Sequence, residues 1–156
     1  MSKADALRLT KLAAVAADAK LGEAIVALDV SKESTLSDFF VFITGTSHVH
    51  IRALEDAIRE ALRDSGGSLT RTDGQRGHLW RVLDYGSLIV HIMDAKTREF
   101  YSIEKLWERG RPVAWNPKAP APKPARKSKP AGKKRRPAAR AAASRRKPAR
   151  KKTSRR

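Results

Sequence analysis

The last forty residues of this chain cannot build a globule, and everything before them must be understood in that light. Pro117 to Arg156 contains 18 Lys or Arg, 10 Ala, 7 Pro and five Ser, Thr or Gly, with no acid and no large apolar or aromatic side chain. Such a segment has nothing to bury, and its like charges and prolines favour an extended arm. The net charge of +18 lies wholly in that arm, because residues 1–116 carry 16 basic and 16 acidic side chains. Those 116 residues also hold all 39 of the large apolar and aromatic residues, enough for one core of ordinary domain size. The expected organisation is a folded domain over 1–112 followed by a disordered Lys/Arg/Ala/Pro-rich basic tail over 113–156.

Several function classes drop out at this level. The longest apolar run, Phe39 to Ile43, is strand-sized, far below the ~20 residues that a membrane helix needs, so no membrane partner is expected. The N-terminus meets an acid at Asp5 and shows no continuous hydrophobic stretch, which argues against a secretory signal and for a cytoplasmic protein. With no Cys in the chain, disulfides, thiolate metal sites and cysteine nucleophiles are excluded.

Hydrophobic spacing predicts the elements. Ser2 with Asp5 opens a helix in which Leu9, Leu12, Ala13, Ala16 and Ala19 recur until Gly22. Glu23–Val30 is a strand, and Phe39–Ile43, with no polar alternation, is a central strand covered on both faces. Ser47 caps the next helix, whose Leu54, Ile58 and Leu62 face the core beside Ala53, Ala57 and Ala61, with Glu55 and Arg59 placed to pair. Leu79–Leu83 and Ser87–Met93 form a hairpin. A two-residue Tyr-Gly turn would force Tyr85 to positive φ, so a three-residue loop over Asp84-Tyr85-Gly86 is expected, pairing Leu83 with Ser87 and Trp80 with Val90. In that register Trp80, Val82, Leu88, Val90 and Ile92 share the core face, opposite Leu79, Arg81, Leu83, Ile89, His91 and Met93. Asp94 caps a short turn, after which Ile103, Leu106 and Trp107 share one helical side, and Gly110 with Pro112 closes the domain. The pattern is that of an α/β domain with a mixed sheet and flanking helices.

Chemistry is sparse. Gly45-Thr46-Ser47 before a helix is the first half of a nucleotidyl-transfer pattern, but no two acids are separated by a single residue, so the carboxylate pair for two metals is missing. The turn therefore reads as a strand-to-helix connection with a cap rather than a phosphate site. His48, His50, His78 and His91 lack the three or four convergent ligands of a metal site, and no cofactor or small-molecule substrate is expected. His91, beside Arg81 on a mixed face, is either a contact residue or a hydrogen-bonded, half-buried histidine. Trp80 reads as core and Trp107 as core or interface, while Tyr85 at a turn tip and Tyr101 beside Arg98 are the exposed aromatics.

Taken in order, Leu28-Asp29-Val30, Leu36 to Ser47 around Asp38 and Gly45, Trp80 to Gly86, Val90 to Met93 and Arg98 to Trp107 resemble the ribosomal silencing factor (RsfS, Iojap) family over roughly residues 5–110. Asp73-Gly74 stands where that family usually has Glu-Gly. The resemblance implies a nucleotidyltransferase-like fold without its catalytic carboxylates and a non-enzymatic translational repressor. It also implies binding to the large ribosomal subunit through its fourteenth protein, a steric block to small-subunit joining, a role in large-subunit maturation, and a homodimer when free. Carried over by motif, it marks Trp80, Asp84, Tyr85, His91, Arg98, Tyr101, Glu104 and Trp107 as the partner-binding neighbourhood. The tail gains nothing from the resemblance. Its Lys127, Lys129, Lys133, Lys134, Arg135, Arg136, Arg145, Arg146, Lys147, Arg150, Lys151 and Lys152 suit phosphate backbones, so rRNA is the expected partner. A rival reading is nucleic-acid compaction by the tail, with a core that dimerises.

Overall fold

The computed structural model describes residues 1–74, 76, 77 and 79–116; His78 and the basic tail, with every tail residue named above, lie outside the described residues. The chain runs α1 (Lys3–Ala19), β1 (Glu23–Asp29), β2 (Phe39–Thr44), α2 (His48–Asp64), β3 (Arg71–Asp73), β4 (Trp80–Asp84), β5 (Leu88–Met93), α3 (Ala95–Tyr101), a 3₁₀ helix (Ile103–Trp107) and β6 (Arg111–Pro112). The strands form one mixed sheet in the order β3-β4-β5-β2-β1-β6. Among the described residues only β2 and β5 pair in parallel, Phe39 opposite Leu88 through Thr44 opposite Met93.

Each long helix begins where its cap dictates. The Ser2 hydroxyl accepts from the Asp5 N–H, and the Ser47 hydroxyl from the His50 N–H. Ala6, Leu9, Ala13 and Ala17 of α1 and Ile51, Leu54, Ile58 and Leu62 of α2 are buried against one face of the sheet, together with Phe39, Val41, Ile43, Leu83, Leu88, Val90 and Ile92. Small residues along α1 let it lie close to its neighbours, which is why an Ala-rich stripe suffices. Ala19 and Ala53, expected on the core stripes, are exposed; Ile51 fills that place on α2. β2 is buried at all six positions, the central strand its composition announces. The opposite face carries a second cluster of Leu28, Val30, Phe40, Phe42 and Met93, packed with Trp80, Ile89, Ile103 and Trp107.

The hairpin differs from expectation. Trp80 pairs with Met93, Val82 with His91 and Asp84 with Ile89, three positions away from the predicted register. The Tyr85 N–H donates to the Leu88 carbonyl at 2.8 Å, so the turn is Gly86-Ser87 and only Gly86, at φ +80°, adopts a left-handed conformation. Replacing the three-residue loop over 84–86 by a two-residue turn at Gly86-Ser87 shifts the pairing by three and relieves Tyr85 of the positive φ that argued against a two-residue loop. An odd slip exchanges faces: Arg81 and Leu83 join Leu88, Val90 and Ile92 beneath the helices, while Trp80 and Val82 join Ile89, His91 and Met93. Two strands escaped the pattern altogether. β3 lies in what reads as polar loop, and β6 pairs with β1 at Leu28 and Asp29. Packing continues past residue 112, where Val113 is buried and donates to the Ala27 carbonyl at 2.8 Å and Trp115 packs on the core.

Candidate partner surface

On the sheet face away from the two long helices, period-two alternation brings Phe40 and Phe42 of β2, His91 of β5 and Trp80 of β4 together. The His91 ring stacks on Phe42 at 5.2 Å between centroids and 9° between planes, with Phe40 at 5.7 Å. Trp80 Nε1 donates to His91 Nδ1 at 3.3 Å, which leaves the imidazole proton on Nε2. Burial among these rings lowers the His91 pKa from 6.5 to about 4, so the ring is neutral at pH 7. It is a half-buried, hydrogen-bonded histidine at the centre of an aromatic floor.

The rim of this floor is built by α3 and the 3₁₀ helix. Asp94 caps α3 by accepting the Thr97 N–H at 2.8 Å, and Ser102, at φ +44°, ends it and turns the chain into the second element. Trp107 then lies on Phe40 at 5.1 Å, and Tyr101 on Trp80 at 5.1 Å. Neighbours on a helix diverge by about 100°, so Phe100 cannot also face the sheet. It points outward, 81% exposed and edge-on to Tyr101, which is 55% exposed. Leu106 is 73% exposed, a correction to its expected place beside Ile103 and Trp107: the break at Ser102 leaves a short separate element that turns only those two inward. A cleft of about 490 Å³ adjoins the patch, lined by Gly74, Leu79, Trp80, Val82, Thr97 and Tyr101 among others.

Of the eight residues marked by motif, the fold brings Trp80, His91, Tyr101 and Trp107 into one aromatic cluster. Arg98 and Glu104 stand beside it as an ion pair, with Arg98 Nε 3.0 Å from Glu104 Oε2. Asp84 is instead a turn residue whose Oδ1 accepts the Gly86 N–H at 2.7 Å. Tyr85, expected to be exposed at the turn tip, is buried instead: continuing the strand direction past Asp84 turns its side chain under α2, where it is 3% exposed, and its hydroxyl has no hydrogen-bond partner among the described residues. Burial raises its pKa above 10.0. Phe100, Leu106 and Leu79, missing from the motif set, are the large apolar side chains the region actually exposes. The adjacent aromatics Phe100-Tyr101 on a short capped helix were the signal for the first.

His50 serves the fold. His50 Nδ1 accepts the Thr46 N–H at 3.1 Å, and its Nε2 lies 2.7 Å from the Lys20 carbonyl, tying the start of α2 to the end of α1. The Gly45-Thr46-Ser47 turn is thereby engaged by its own helix. Among the described residues no group of three His, Asp or Glu side chains is placed to hold a metal ion.

The sequence matches the model of the family described as "ribosomal silencing factor during starvation" across residues 3–152. The chain belongs to the ribosomal silencing factor family. Its role is ribosomal silencing and its field translation regulation. A ribosomal silencing factor RsfS of Chromobacterium violaceum is 31% identical over 104 residues, 67% of this chain and 85% of that one. A crystal structure of a protein from the same organism has a TM-score of 0.64 at 29% identity, covering 76% of this chain and 97% of the other. A mouse protein named mitochondrial assembly of ribosomal large subunit protein 1 is 31% identical over 86 residues, 53% of this chain and 38% of its own length. The motif segments of this silencing factor thus encode an α/β domain whose second sheet face gathers Trp80, His91, Tyr101 and Trp107.

Proposed function

We propose that this silencing factor docks its aromatic face on the large ribosomal subunit, through that subunit's fourteenth protein, and sterically prevents the small subunit from joining. The observation that carries this reading is the exposure of Phe100, Tyr101 and Leu106 on a rim above a rigid aromatic floor. Aromatic anchors of this kind supply most of the specific free energy at an interface, while charges around them govern the approach rate. No catalysis is required: a domain occupying a bridge site competes with subunit joining by mass action. The name of the mouse relative, which concerns large-subunit assembly, supports the choice of subunit. On this reading the protein is not an enzyme and acts in the cytoplasm, where it is free as a homodimer or bound to ribosomes.

The 18 basic residues of the tail add affinity for rRNA without reading its sequence, since phosphate contacts release counterions and no aromatic residue is present to stack on bases. The same concentration of charge favours the second reading, nucleic-acid compaction by the tail. Sedimentation with purified subunits separates them. Silencing predicts co-migration with the free large subunit and loss of assembled ribosomes when the small subunit is added, whereas compaction predicts migration with DNA. Deleting residues 117–156 should weaken large-subunit binding and flatten its salt dependence; an unchanged, salt-insensitive affinity removes the tail from the mechanism. Tyr101→Ala should restore subunit joining, and full repression by that variant would overturn the assignment of the surface.

A further inference from the structure

The rim that presents Phe100, Tyr101 and Leu106 is anchored in an unusual way. α3 contains no fully buried residue, and its apolar contact with the sheet is the half-exposed Tyr101 ring on Trp80. Its polar attachment runs through one side chain. Arg98, only 12% exposed, donates from Nη1 to the Ala24 carbonyl at 2.7 Å and to Thr44 Oγ1 at 2.8 Å, while Nε and Nη2 form a two-pronged pair with the Glu104 carboxylate. Its partners belong to three elements. Ala24, at φ +45°, is the irregular point of β1 where the register with β2 shifts; Thr44 is the last residue of β2; Glu104 lies in the 3₁₀ helix, across the left-handed break at Ser102.

We infer that Arg98 is a positioning residue: its guanidinium clamps α3 and the 3₁₀ helix to the ends of β1 and β2 and so fixes the posture of the exposed aromatic rim. This deepens the proposed docking surface and rests on it for its functional consequence, but the clamp itself is a property of the free protein. The planar fork is what suits the task, because it engages a carboxylate with two prongs while its remaining nitrogen reaches backbone and hydroxyl acceptors. Lys cannot reproduce that geometry with a single ammonium.

Hydrogen–deuterium exchange on the full chain tests the clamp, paired with binding to purified large subunits. In Arg98→Met, amides over 95–107 should exchange at least about tenfold faster while β2 and β5 keep their protection. Arg98→Lys should fall near Arg98→Met rather than near the native protein. Glu104→Gln, which leaves Arg98 its bonds to Ala24 and Thr44, should give an intermediate rise and serves as the milder variant if Arg98→Met loses protection throughout. Large-subunit affinity should drop about tenfold in Arg98→Met, and Tyr101→Ala, which removes only the ring contact with Trp80, should drop it with a smaller change in exchange than Arg98→Met. Unchanged exchange over 95–107 in both Arg98→Met and Glu104→Gln overturns the inference. So does native affinity in Arg98→Met when Tyr101→Ala binds weakly. If Tyr101→Ala also binds as the native protein does, the docking surface has been misassigned, and the exchange result alone decides the clamp.

Discussion

Replacing Glu55 by Gln isolates one charge in the interface between α2 and the sheet. Arg81 reaches that position because the hairpin register turns it beneath the helices: its Nε lies 3.2 Å from Glu55 Oε2, and the two side chains are 7% and 9% exposed. Arg81 Nη1 also donates to the Gly74 carbonyl at 2.6 Å, while Nε, although close to the carboxylate, is not aligned to donate to it. The attraction is therefore chiefly electrostatic. Two unit charges at this distance interact by about 5 kcal/mol at an effective dielectric of ~20, most of it offset by the cost of desolvating both groups. Gln keeps the volume and an acceptor but strands a buried guanidinium, for which the expected loss is about 3 kcal/mol. Urea denaturation followed by Trp fluorescence measures it, with Arg59→Ala as internal control. Arg59 approaches Glu55 at 3.6 Å but is 47% exposed, so its removal should cost less than about 0.5 kcal/mol. In an Arg81→Met background the Glu55→Gln loss should shrink to under about 1 kcal/mol, because no charge remains to strand. A loss below about 1 kcal/mol in the native background, or one that is undiminished when Arg81→Met is already present, would refute the pairing as a determinant of stability.

Other expectations follow from the same contacts. His91 titrates near 4 folded and 6.5 unfolded, so between those values the unfolded chain binds the extra proton. Stability is therefore complete above pH 6.5 and declines as pH falls toward 4, by about 3 kcal/mol in all; urea midpoints from pH 7 to 4 should show it, and His91→Phe should flatten that window. Gly74→Ala should cost about 2 kcal/mol or more, since Gly74 sits at φ +87° and an added Cβ would lie 2.0 Å from the Trp80 carbonyl oxygen; thermal melts with preserved stability would contradict this. Tyr85→Phe, which deletes a buried hydroxyl without a partner among the described residues, should raise stability by about 1 kcal/mol and leave large-subunit binding unchanged. Weaker binding would place Tyr85 at the interface after all.

Local sequence determined a great deal because its rules are local. Ser2, Ser47 and Asp94 announce helix starts whatever the rest of the chain does, since a cap is satisfied within one turn. The unbroken apolar run of β2 announces a strand covered on both sides, and the absence of large apolar side chains after 116 leaves the core to be built from what precedes it. The motif segments likewise name the family before any geometry is known. What tertiary structure decided is which way each hairpin side chain points. A strand alternates with period two, so a three-position change in pairing, from a three-residue loop to a two-residue turn, was enough to send Tyr85 inward, pair Arg81 with Glu55 beneath α2 and deliver Trp80 to His91 on the opposite face. Strands as short as β3 and β6 carry no pattern of their own and exist only because a neighbouring edge supplies their hydrogen bonds. The same holds for the candidate surface: its residue types stand in the chain, but Phe100 and Leu106 are exposed, and Arg98 is a strut, only because Ser102 breaks the helix and three distant acceptors meet one guanidinium.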